Sequence, residues 1–281
     1  MDIGIGLPNA VPGATGGQLV EWARRADARG FSSLGTIDRV VYDNYEPLIA
    51  LAATAAVTER IGLRTTVLLG PLHPNATELA KQALSVQALS GGRFTLGIGL
   101  GAREDDYEAS GVELRGRGRR LDEMLERIKE VWEGDEIGPS IEGSPKLVVG
   151  GHADASYARV ARFADGWIAS GAGPDVYAEG AAKAKAAWAD AGREGDLRTM
   201  ALAYFSLGAD AEADAQLNLG GYYAWLGDEV AGMIVAAAAK DAGTVQRYLD
   251  AYESAGCDEL ILCPSSSDPA QVDLLADAAD L

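Results

Sequence analysis

Apolar residues along this chain follow two alternating rhythms. Short, nearly continuous apolar runs recur at Ile3–Leu7, Ser32–Asp38, Leu63–Leu69, Phe94–Gly99, Lys146–Gly150, Asp165–Ala169, Thr199–Leu207 and Asp258–Cys263. Runs with so little polar alternation predict strands buried on both faces, the habit of a parallel sheet. Longer segments with apolar positions three and four apart lie between them. Gln18–Arg29 sets Leu19, Val20, Ala23 and Ala26 on one stripe and stops at Gly30, which suits the left-handed turn that ends a helix. Pro47 opens a helix over Leu48–Glu59, and Thr77–Leu89 runs out at Ser90-Gly91-Gly92. Arg119–Trp132 is amphipathic through Leu121, Met124, Leu125, Ile128 and Trp132. Asp154–Phe163, Asp175–Ala191, Thr244–Ala255 and Asp268–Ala279 complete the helices.

A strand-then-helix alternation repeated eight times predicts an α/β fold, a (β/α)8 TIM barrel, with an open doubly wound sheet as the competing arrangement. Two connections are too long for simple loops: Gly101–Gly118 after the fourth strand and Ala209–Asp241 after the seventh. Insertions after barrel strands lie at the C-terminal face, where barrel enzymes build their sites. No linker or low-complexity tract interrupts the alternation, so residues 1–281 are expected to form a single domain.

Composition narrows the picture. The 281 residues are 48% hydrophobic and 23% charged, which excludes disorder, and the net charge of −18 argues against nucleic acid or an anionic membrane as partner. The two cysteines, Cys257 and Cys263, are six apart in one strand, too far to bridge, and two free thiols fit a cytoplasmic location. Met1-Asp2-Ile3-Gly4-Ile5 lacks the basic start and apolar core of a signal peptide, and no apolar run is long enough to span a bilayer. With two histidines, His73 and His152, and no CxxC pair, no metal site is expected.

Candidate chemistry sits where strands end. Gly97-x-Gly99-x-x-Ala102 formally matches a dinucleotide fingerprint, but Arg103-Glu104-Asp105-Asp106 follows where an apolar helix belongs. The plainer reading is a glycine-lined strand end that admits a flat ligand. Gly150-Gly151 ahead of a helix start at Asp154-Ala155-Ser156 forms a better anion site, with His152 and Ser156 as further donors; a plain turn with Asp154 as N-cap is the alternative. Arg115, Arg117, Arg119 and Arg120 form a basic cluster that either meets an anionic tail or pairs with Glu113, Asp122, Glu123 and Glu126, the latter favoured. Asp38 ends an apolar strand, so it is either a cofactor-orienting group, an acid or base, a cap, or a partner of Arg39. Asp38 with Glu104 or Asp105 makes a carboxylate pair of the kind a barrel hydrolase uses, whereas no GxSxG elbow is present. Tyr222, Tyr223 and Trp225 either wall a hydrophobic pocket or pack a broken helix.

Four segments in this order and spacing resemble the bacterial luciferase-like, flavin- or deazaflavin-dependent oxidoreductases. They are Gly30-Phe31-Ser32-Ser33-Leu34 through Asp38; Arg60-Ile61-Gly62-Leu63 through Val67 with His73-Pro74; Leu89-Ser90-Gly91-Gly92-Arg93 through Gly101 with Glu104-Asp105-Asp106-Tyr107 and Gly116 to Glu123; and Gly150-Gly151 through Ala164-Asp165-Gly166-Trp167. The resemblance covers nearly the whole chain. It implies reduced FMN or the deazaflavin coenzyme F-420 at the barrel mouth, a small organic substrate that is reduced or oxygenated, and a homodimer. It places a non-proline cis peptide at Thr66-Val67 behind the ring, Asp38 and Asp105 beside it as catalytic groups, and the phosphate at Gly150 and Gly151. Asn9, Thr65, Thr66, Val67, Gly99, His152, Ser170 and Gly171 complete the implied cofactor shell. Arg39 stands where a histidine is common, and Ala102 where some deazaflavin dehydrogenases carry a catalytic glutamate, which speaks against a sugar-phosphate dehydrogenase. A flavin-binding relative without turnover and a barrel hydrolase remain the alternatives.

Overall fold

The computed structural model describes residues 1–281. Its strands are β1 (Asp2–Gly6), β2 (Ser33–Thr36), β3 (Gly62–Thr65), β4 (Leu68–Leu69), β5 (Phe94–Gly99), β6 (Lys146–Gly150), β7 (Gly166–Ala169), β8 (Arg198–Phe205) and β9 (Glu259–Pro264). All pairings are parallel, and β1 joins both β2 and β9. β3 pairs with the start of β5 and β4 with its end, so the two are halves of one stave broken at Thr66-Val67. Eight staves therefore close into a barrel, as the alternation predicts, and the open sheet is excluded.

The helices are α1 (Gly16–Arg29), α2 (Pro47–Ala55), α3 (Ala76–Leu89), α4 (Glu104–Ala109), α5 (Arg117–Glu133), α6 (Asp154–Phe163), α7 (Pro174–Asp190), α8 (Ala211–Tyr223), α9 (Asp228–Ala237), α10 (Ala242–Ser254) and α11 (Ala270–Ala278). None is long and apolar enough to cross a membrane. A reciprocal capping box between Thr15 and Gln18 opens α1, and Gly30, at φ 91°, ends it. α2 stops four residues short of the predicted Glu59. The cause is Asp27, whose carboxylate accepts the amides of Glu59, Arg60 and Ile61 at 3.0, 3.1 and 2.7 Å and draws the chain into β3. The predicted N-cap at Asp154 shifts by one: Ala153 holds that position, and Asp154 is the first residue of α6.

Two apolar bodies form the core of the barrel, and a third, of Ala215, Leu219, Val235 and Ala238, joins α8 to α9. Of the first two, one lies between the staves and the helices. The other fills the barrel, with Val148, Ile168, Met200, Leu202, Ile261 and Cys263 stacked beneath a half-buried layer of Ile37, Val67 and Tyr204. At the N-terminal end, fully buried Glu259 accepts from Ser32 and Ser33 at 2.7 and 2.6 Å and pairs with Arg64 and Arg198 at 2.9 Å each. Both long insertions cross the other end. The first carries α4; the second folds α8 against α9 before an isolated bridge between Phe205 and Ala239 returns the chain.

Candidate functional site

The top interior layer of Ile37, Val67 and Tyr204 forms a floor at the C-terminal mouth. Val67 is placed by the stave break, where the Thr66-Val67 peptide is cis. The two threonines before it are consumed by backbone. Thr65 Oγ1 donates to Gly97 O at 2.6 Å and accepts from Gly97 N at 2.9 Å, and Thr66 Oγ1 donates to Thr36 O at 3.0 Å. Those bonds leave Val67 to project over the neighbouring strand ends, where Gly99 and Gly150 make room for it and Gly97 makes room for the Thr65 carbonyl. A Cβ on Gly97 would lie 2.0 Å from Thr65 O, one on Gly99 would lie 2.7 Å from Val67 Cγ2, and one on Gly150 would lie 3.1 Å from Val67 Cγ1. The apparent dinucleotide glycines thus serve close packing of the third and fourth staves.

Beside this floor the chain turns from β6 into α6. Gly151 has φ +123°, and a side chain there would meet Ser156 Oγ at 2.7 Å. The amides of Gly151, His152 and Ala153 find no acceptor in the protein, and those of the first helical turn point the same way by geometry. His152 Nε2 lies 3.1 Å from Ser170 Oγ, and its ring stands edge-on to Trp167 at 5.6 Å. Burial first, then the charge of nearby Lys183, lowers the His152 pKa below the usual imidazole value, so it is neutral at pH 7. Ser170 and Gly171 are exposed on the adjoining strand end, with Tyr204 next to Gly171.

Asp38 is 5% exposed. Its Oδ2 accepts from Leu69 N at 2.8 Å and lies 3.6 Å from His73 Nε2, so its partners come from the third stave and not from Arg39. Arg39 turns instead to Asp106 at 2.6 Å and Asp105 at 3.7 Å, between the rings of Tyr42 and Tyr222. Asp106 also accepts the amides of Val40 and Val41 at 3.0 and 2.7 Å. Arg103 grips Asp105 and stacks on Trp225. The hydrogen bond from Arg103 is the main cause holding Asp105 below the ordinary carboxylate range.

The structure therefore brings Val67, Gly99, Gly150, Gly151, His152, Ser170 and Gly171 to one side of the mouth. Asp38 lies at its third-stave edge and Asp105 in the first insertion. Asn9 is committed elsewhere: its side chain bonds Ile37 O, Tyr45 O and Ile37 N at 2.8, 3.0 and 3.1 Å, tying the first loop to the second stave. The arginine cluster divides. Arg120 and Arg117 donate to carbonyls of the 113–115 turn, Arg119 meets Glu123, and Asp122 and Glu126 pair with Arg159 and Arg162 of α6. Tyr222 packs on Tyr42 and Tyr223, and Tyr223 shares a hydroxyl–hydroxyl hydrogen bond with Tyr204. Sequence reasoning missed Ile37, Tyr204, Lys183 and the Arg39–Asp106 pair.

Several known proteins resemble this chain. An F420-dependent glucose-6-phosphate dehydrogenase of Nocardia farcinica is 31% identical over 207 residues, 59% of this chain and 60% of that one. The chain spans less than two thirds of the length of the curated relatives it matches. Among solved structures, an F420-dependent secondary alcohol dehydrogenase holding an F420-acetone adduct superposes with TM-score 0.84 at 15% identity, covering 99% of this chain and 97% of that one. The oxygenating constituent of 3,6-diketocamphane monooxygenase from Pseudomonas putida, in complex with FMN, gives TM-score 0.75 at 17% identity, with 98% and 96% covered. The luciferase-like monooxygenase family model matches residues 1–260, and the chain belongs to that family.

Proposed function

We propose that this chain is an oxidoreductase that seats reduced F-420 or FMN at the barrel mouth and acts on a small organic substrate. F-420 is the preferred cofactor, on the strength of relatives at 31% and 29% identity named for it. The observation that carries the reading is the unpartnered amide row Gly151-His152-Ala153 at the start of α6, beside a floor of Ile37, Val67 and Tyr204. Both cofactors bear a phosphate and a flat ring, and an amide row at a helix N-terminus fits the first as an apolar floor fits the second.

When bound, the cofactor supplies hydride, or with oxygen an oxygen atom, and the protein supplies placement. Gly151 and His152 would hold the phosphate by backbone amides, with Lys183 adding positive potential. Val67 would support the ring, and Asp38, fixed by Leu69 N, would face its polar edge. The insertions carrying α4 and α8–α9 would exclude water from the mouth. The barrel-hydrolase alternative fares worse, because Asp38 is engaged by Leu69 N and His73 while Asp105 is engaged by Arg103 and Arg39 in the first insertion, so neither carboxylate meets the other. A single domain, a homodimer and a cytoplasmic location are part of the same proposal.

Equilibrium titration with F-420 and with FMN, followed by each cofactor's own fluorescence, tests the reading. Micromolar affinity for one is expected. Millimolar, equal binding of both overturns it.

A further inference from the structure

Between the turn at Pro8–Ala10 and α8 lies a small cavity walled by Leu7, Ile37, Tyr204, Leu219 and Tyr222, with Asn218 among them. Its free space is about 10 Å³, near the size of one water or one hydroxyl group. Two of its walls, Ile37 and Tyr204, also belong to the mouth floor, so the cavity adjoins the place proposed for the ring.

Asn218 is the polar exception in this apolar chamber. It is 7% exposed, and its Nδ2 donates to Pro264 O at 3.4 Å. A carbonyl can face only the NH2 end of an amide, so that bond fixes the side chain's orientation. Oδ1 is then the free end, and it is buried without a partner. A buried carbonyl in that state calls for a donor.

The charges nearby decide the ligand class. Arg39 is matched by Asp106 and Asp105, and Arg103 by Asp105. Arg39 Nη1 lacks an acceptor, but the charge of its guanidinium is already met by Asp106. These two arginines and two aspartates cancel, so no uncompensated cation remains to hold an anionic group such as a sugar phosphate.

We infer that this cavity receives the hydroxyl of an uncharged substrate, which donates to Asn218 Oδ1 while its carbon frame lies over Ile37 and Tyr204. The inference deepens the oxidoreductase reading and rests on it: the hydroxyl is held for recognition, and it is not the centre that receives hydride or oxygen.

The pair 2-butanol and 2-butanone differs by one donor and serves as the probe. Binding of each is measured by ligand-detected NMR, with and without F-420, and cofactor affinity is read from F-420 fluorescence in the same samples. The alcohol is expected to bind about tenfold more tightly. Asn218→Leu abolishes the difference, and Asn218→Ala repeats the loss if the leucine variant does not fold. Equal affinities, or a preference that survives Asn218→Leu, mean that the cavity holds a structural water only and overturn the inference. Normal F-420 binding without alcohol preference removes the subsite and leaves the cofactor reading standing. An Asn218-dependent preference in a protein that binds neither F-420 nor FMN supports the subsite and removes the cofactor reading.

Discussion

Arg39 and Asp106 offer the sharpest test of how the loops over the mouth are held. Their side chains are 3% and 0% exposed, 2.6 Å apart, and Asp106 also accepts the amides of Val40 and Val41. Replacing Asp106 with Leu leaves a buried guanidinium with only the longer contact to Asp105 at 3.7 Å and the Val41 carbonyl at 2.9 Å, and two amides without an acceptor. Breaking a buried pair on one side costs about 3–5 kcal/mol, so the variant should lose about 4. Arg39→Met should lose less, about 3 kcal/mol, because the carboxylate retains two backbone donors. The double variant removes both charges and should lose at least about 2 kcal/mol less than the two singles together. Urea unfolding at neutral pH reads all four proteins, provided the slope is constant. Additivity within about 0.5 kcal/mol would refute the coupling. So would an unmoved midpoint accompanied by faster amide exchange at residues 39–45 and 104–110, which would place the pair's contribution in the loops alone.

Other expectations follow from the same geometry. Gly151→Ala puts a Cβ against Ser156 Oγ at an unfavourable φ, and F-420 affinity should fall about tenfold or more by fluorescence titration; unchanged affinity would remove the amide row from the site. Glu259 is pushed up by burial but pulled further down by Arg64, Ser33, Arg198 and Ser32, to a net pKa below 4.5. As pH falls the unfolded chain therefore takes up this proton first. The stabilisation is complete above about pH 4.5 and is lost as pH drops through the lower folded value, so Glu259→Gln should be less stable at pH 7 and show a flatter acid limb in urea titrations. Burial raises the thiols of Cys257 and Cys263 to about 11 and about 12, so a thiol reagent at pH 7.5 should find none in the native protein and two after denaturation. With a net charge of −18, the association rate of anionic F-420 should rise as salt goes from low to physiological strength, because screening relieves repulsion; a fall in stopped-flow rate would show that the mouth itself is electropositive.

The barrel was legible because buried parallel strands write themselves as uninterrupted apolar runs, and every predicted run lies on a stave. What stayed hidden was set by contacts distant in the chain. The third run, Leu63–Leu69, looks like any other; its division into β3 and β4 depends on Thr65 and Thr66 bonding to Gly97 and Thr36 on the flanking staves. The early end of α2 depends on Asp27, about thirty residues upstream. Gly97 and Gly99 read as a strand end opened for a flat ligand, because a local pattern cannot tell whether a glycine makes room for a ligand or, as here, for the Thr65 carbonyl and Val67.

The candidate site was legible only along its backbone. Gly150-Gly151 before a helix start is a local signal, since both the freed amides and the helix dipole belong to that one turn. Side-chain partners were not local. Arg39 chooses Asp106 across 67 positions over adjacent Asp38, because Asp38 is already taken by Leu69 N and because Tyr42 and Tyr222 enclose the guanidinium. Tyr204 sat unnoticed within a strand whose apolar neighbours show no alternation, so nothing marked it as inward-facing. The same enclosure decides what the mouth accepts. Its cations are matched by carboxylates, so the remaining positive potential comes from the unpartnered amides of α6 and exposed Lys183, on the opposite side from Asn218 and the apolar cavity. In the proposed reading, a ligand with an anionic tail and a flat head would be oriented by the protein's own polarity, tail toward Gly151 and head toward Tyr204, and an uncharged second molecule would meet it from the α8 side.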